Sequence, residues 1–82
     1  MAKEHNGTEY RYILASDVVR DGMYIEVSDE PKGTNALIEI FYSDVTHEMT
    51  MTLFKPDIPI EVIEWAISVA QKRLPVAKIP DD

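Results

Sequence analysis

Between Ile58 and Leu74 the apolar positions recur at helical spacing. At about 100° per residue, Ile60, Val62, Ile63, Ala66, Ile67, Val69, Ala70 and Leu74 cover about half the circumference, opposite Glu61, Glu64, Ser68, Gln71 and Lys72. Pro59 is tolerated in the first turn, where its missing N–H has no intrahelical partner, and Pro75 ends the run. Asp57, Glu61 and Glu64 near the start and Lys72 and Arg73 near the end complement the helix dipole. Trp65 falls on the seam between the two arcs.

Upstream the period changes to two. His47 to Leu53 alternates so that Met49, Met51 and Leu53 share one face and Glu48, Thr50 and Thr52 the other, the mark of a half-buried strand. Leu37 to Tyr42 predicts its neighbour, with Ile38, Ile40 and Tyr42 inward, and Ser43 to His47 turns between them. Met23 to Val27 alternates likewise, with Met23, Ile25 and Val27 inward. Tyr10 to Ala15 predicts a first strand. A two-residue hairpin at Asp21-Gly22 would oppose Asp17 to Glu26, so a longer loop or bulge around Ser16-Asp17 is expected there. Asp29 to Asn35 is turn-rich and joins the second and third strands.

These elements give an α+β domain, a four-stranded antiparallel meander (β-β-β-β-α) with one C-terminal amphipathic helix on one sheet face. One domain spans residues 9–75, flanked by flexible tails at 1–8 and 76–82; 82 residues leave no room for a second core. A single helix leaves the opposite sheet face uncovered, with Tyr24, Glu26, Glu39, Phe41, Thr50 and Thr52 on it. That face can meet water or the same face of a second copy.

Composition narrows the functional classes. Forty-five per cent hydrophobic and 28% charged is ordinary for a globular chain. The net charge of −7 is spread over both halves, which argues against nucleic acid because phosphate binding needs lysine and arginine. The same charge suits a basic protein partner. With no cysteine there is no disulfide, thiolate metal site or cysteine nucleophile. The opening residues lack an apolar signal core and no membrane-length apolar run occurs, so a cytoplasmic protein without membrane attachment is expected.

Candidate chemistry is sparse. Asp44, His47 and Glu48 place a carboxylate and an imidazole at a spacing that can hold a cation or move a proton, but a metal site needs three or four supported ligands and the other histidine, His5, falls in the expected tail, so a solvated hairpin turn is the simpler reading. Ser16, Ser28, Ser43 and Ser68 lack a nucleophile elbow, and Lys32-Gly33-Thr34 lacks the upstream glycine of a phosphate loop. No catalytic residue, metal site or cofactor site is assigned. The candidate interaction surface is Tyr24, Phe41, Thr50 and Thr52, together with Trp65, a residue type enriched at binding hot spots.

The segment 39–75 resembles a family of small uncharacterised bacterial proteins. The residues that carry the resemblance are Glu39-Ile40-Phe41-Tyr42-Ser43-Asp44, Met49-Thr50 with Phe54, Glu61, Ile63-Glu64-Trp65-Ala66-Ile67 and Arg73-Leu74-Pro75. It implies a stand-alone bacterial domain and transfers no catalytic residue. The sequence therefore points first to a noncatalytic interaction module that self-associates as a homodimer, through the uncovered face or a sheet edge. The alternatives are an acidic inhibitor or immunity-type protein that occupies a basic partner, and a metal- or ligand-binding protein or enzyme built on Asp44, His47 and Glu48.

Overall fold

The computed structural model describes residues 2–29 and 36–74. Five strands, β1 (Ala2–His5), β2 (Thr8–Asp17), β3 (Gly22–Asp29), β4 (Ala36–Ser43) and β5 (Met49–Leu53), precede one helix, α1 (Ile60–Arg73). The strands form one antiparallel sheet in sequence order, so β1 and β5 are its edges. The α+β meander with a C-terminal helix is as the sequence predicts, with one strand more. Residues 2–5 are that strand rather than part of a flexible tail. The reason is local: Asn6 and Gly7 both have positive φ, 51° and 82°, which folds β1 back on β2 in a two-residue turn pairing His5 with Thr8. The expected tail at 76–82, the Pro75 stop and the Lys32-Gly33-Thr34 turn lie outside the described residues.

Between β2 and β3 the longer loop expected from charge repulsion is present. Asp17 pairs with Gly22, leaving Val18 to Asp21 as the connection, and Glu26 faces Ile13 rather than Asp17. The Asp17 carboxylate accepts the Val19 and Arg20 backbone N–H groups, both at 3.1 Å, and so closes the turn. Gly22 leaves its side-chain position to the Phe41 ring and the Tyr42 carbonyl. Between β3 and β4 the register shifts so that Val27 opposes Ile38 while Ser28 opposes Ala36. This bulge turns Leu37 inward beside Ile38, and both are buried.

Ile25, Val27, Ile38, Ile40 and Tyr42 form the sheet side of the core, and Val62, Ala66, Ala70 and Leu74 the helix side. Two alanines in that stripe bring the helix axis close to the sheet. The buried stripe is narrower than the sequence suggests: Ile60 and Ile67 remain exposed, because α1 lies over β4, β3 and β1 and leaves β5 uncovered. Pro59 is the N-cap residue, outside the first turn, and Asp57 makes no side-chain cap. His5 meets Glu61 at 2.9 Å and ties β1 to the first turn of α1. No described helix is long and apolar enough to cross a membrane.

Candidate functional site

Tyr24, Phe41, Thr50 and Thr52 do come together. Tyr24 opposes Phe41, Phe41 opposes Thr50, and Glu39 opposes Thr52, all on the face away from α1. Above them sits Arg20, which sequence reasoning passed over. Its guanidinium lies 4.1 Å from the Phe41 ring centroid and donates to Asp17 at 2.6 Å and Glu39 at 2.7 Å. The hydrogen bonds from the Arg20 side chain and backbone hold the Asp17 carboxyl below the usual carboxylate range. The bonds to Glu39 and then Asp17 raise the Arg20 guanidinium. Glu39 needs this partner because it directly opposes Glu26. At the centre of the open face the Phe41 ring thus has Gly22 beneath it and Arg20 above, and Arg20 offsets the Asp17 and Glu39 carboxylates of a face that also carries Glu26.

Trp65 is on the other side of the sheet, apart from those four. Half-buried, it meets Tyr12 edge-on at 6.0 Å, and the Arg73 guanidinium donates to the Tyr12 hydroxyl at 3.1 Å. This cluster closes one flank of the core beneath α1.

Asp44, His47 and Glu48 share a turn but do not converge. The Ser43 hydroxyl accepts the Val45 and Thr46 N–H groups, and the Asp44 N–H donates to the Asp21 carbonyl at 2.8 Å. His47, at φ 64°, points its ring back so that Nδ1 and the Tyr42 hydroxyl share a 2.8 Å hydrogen bond. The imidazole therefore anchors the turn to the core. Among the described residues, no group of three or more His, Asp or Glu side chains is placed to hold a metal ion.

The most exposed organised apolar surface lies along β5. Met49, Met51 and Leu53 are on the helix side of the sheet, opposite Tyr42, Ile40 and Ile38, yet are 37, 41 and 47% exposed, and Ile67 of α1, across the groove from Met49 and Met51, is 37% exposed. Met49, Thr50 and Met51 line a groove of about 220 Å³ between β5 and α1, together with Ile40, Ile67, Ala70 and Gln71. The backbone of β5 is equally open. Ser43 N–H bonds the Glu48 carbonyl and Phe54 N–H bonds the Leu37 carbonyl, so even-numbered residues of this strand bond inward to β4. By the alternation of an antiparallel ladder, the N–H and C=O groups of Met49, Met51 and Leu53 point outward. The two edges of the sheet differ in kind: β1 carries Lys3, Glu4 and His5, whereas β5, Met49-Thr50-Met51-Thr52-Leu53, has no charge, proline or glycine.

No protein-family model matches the chain, and neither a curated protein nor a solved structure matches it. The surfaces just described are therefore the whole basis for a functional reading.

Proposed function

We propose that this chain is a noncatalytic protein-interaction module that docks through the outer edge of β5. The observation that carries this reading is the combination on one edge strand of outward backbone groups with no strand partner among the described residues, an uncharged sequence and an apolar row left uncovered by α1. Strand addition uses both features: main-chain hydrogen bonds supply affinity and alternate side chains supply selectivity. The absence of cysteine and the resemblance to small bacterial proteins support a bacterial cytoplasmic setting. The test is photo-crosslinking in cells that express the chain, with a photoreactive residue at Met51 or, on the open face, at Ile13. Adducts from position 51 and none from position 13 are expected; adducts only from position 13 would overturn the reading.

A second reading, an acidic protein that occupies a basic partner, is supported by the open face, where Glu4 opposes Glu9 and Glu26 opposes Glu39. It predicts adducts from position 13 and partner affinity that falls steeply with salt.

A further inference from the structure

Building on that docking reading, we infer that the strand received by β5 is the β5 of a second copy, paired antiparallel about a two-fold axis through Met51. The free groups of β5 dictate the register. Outward N–H and C=O groups belong to residues 49, 51 and 53, and in an antiparallel pair such residues exchange both bonds with the residue opposite. Centring the axis on Met51 sets Met51 against Met51 of the second copy and Met49 against its Leu53, so every outward group of the strand is paired. A shift by one residue would oppose outward groups to inward ones and methionines to threonines.

Three features favour a second copy over an unrelated strand. First, side chains match: an axis perpendicular to the sheet keeps both helices on one side and merges the two Met49, Met51 and Leu53 rows into one apolar floor. The two β4 strands then lie three spacings apart, about 14 Å. That is wider than the ~8–10 Å of touching helices, so these side chains and Ile67 fill the channel between the two helices. Second, no like charges are opposed: with Met51 on the axis Glu48 of each copy falls opposite Phe54 of the other, so the uncharged strand meets its copy without a carboxylate facing a carboxylate. Third, area suffices. The exposed fractions of Met49, Met51, Leu53 and Ile67 amount to roughly 300 Å² per copy, and the edge backbone brings the pair toward the ~1,000 Å² at the small end of specific interfaces. On the opposite face Thr50 meets Thr52 of the second copy in a non-hydrogen-bonded pair, adding a favourable cross-strand contact.

The chain has no cysteine, so single substitutions report the register cleanly. Under mild oxidation Met51→Cys should cross-link with itself. Thr50→Cys and Thr52→Cys should cross-link when mixed and stay uncrosslinked alone, since each residue lies diagonal to its own copy, beyond disulfide reach. Wild type should sediment as a dimer at high micromolar concentration. Met51→Lys should sediment as a monomer with an unchanged circular-dichroism spectrum, because position 51 is exposed in the isolated chain. A monomeric wild type would overturn the two-fold pairing while leaving β5 docking to be decided by the crosslinks from position 51. A dimer unaffected by Met51→Lys, or cross-linked equally by Thr50→Cys alone, would overturn the pairing and its register, and the former would also remove β5 as the docking edge.

Discussion

Replacing Gly22 by alanine tests the packing between β3 and β4 at a single atom. A Cβ built on Gly22 would overlap the Tyr42 carbonyl oxygen and come within 2.6 and 2.7 Å of the Phe41 ring. The ring can swing aside, at the expense of its stacking beneath Arg20, but the carbonyl belongs to the paired strand and moves only if β3 and β4 separate. Overpacking of this kind costs about 1–3 kcal/mol, which for a domain of this size lowers Tm by roughly 5–20 °C. Urea denaturation followed by circular dichroism should place Gly22→Ala at a lower midpoint with an unchanged slope. The double variant Gly22→Ala/Phe41→Ala should recover none of the loss due to the carbonyl. Gly7→Ala is the control: nothing lies within 4 Å of its added Cβ, so only the positive φ of 82° costs stability, by about 1–2 kcal/mol. A wild-type midpoint for Gly22→Ala would refute the close approach of the two strands.

Ala66→Asp should unfold the domain, since Ala66 is fully buried between α1 and the sheet, whereas Ile60→Asp should shift the midpoint by less than about 0.5 kcal/mol. Asp17 titrates lower in the folded chain than in the unfolded one. Its stabilisation is therefore present above the ordinary carboxylate value and is lost as pH falls through the depressed one. The midpoint gap between wild type and Asp17→Asn should accordingly close on acidification from about pH 6 to about pH 2, and a gap that stays constant would contradict the Arg20 bond. Phe41→Lys places a second cation beside Arg20 and should cost about 1 kcal/mol while leaving association unchanged; a lost dimer would return the interface to the open face.

The inward residues of β3 were legible from its alternation and Ile38, Ile40 and Tyr42 of β4 from the outward place of Glu39, whereas the bulge that turns Leu37 inward left no mark in the pattern; the charge conflict at Asp17 and Glu26 correctly forecast a longer loop. Strand β1 was hidden because Ala2-Lys3-Glu4-His5 sits on a charged edge and has no apolar alternation; the signal that marks it is the Asn6-Gly7 pair. The extent of helix cover was also hidden. Ile60 and Ile67 match the apolar period of α1 as well as Val62 and Ala66 do, and only the placement of the helix away from β5 separates them. The role of Arg20 could not be found by spacing, since Asp17 is its neighbour in sequence but Glu39 and Phe41 reach it from β4 through the register. Likewise the His47–Tyr42 bond depends on the positive φ of His47, which redirects an imidazole that spacing alone associates with Asp44 and Glu48.

Hydrogen exchange along β5 tests the central claim most directly, because it reads individual backbone donors. The Thr50, Thr52 and Phe54 N–H groups bond to β4 and should be protected at every concentration. The Met49, Met51 and Leu53 N–H groups face outward, so their protection should rise with protein concentration, reach that of their neighbours in the dimer, and vanish in Met51→Lys. If these three amides exchange freely at all concentrations while the intervening ones stay protected, β5 is an open edge with no second copy on it.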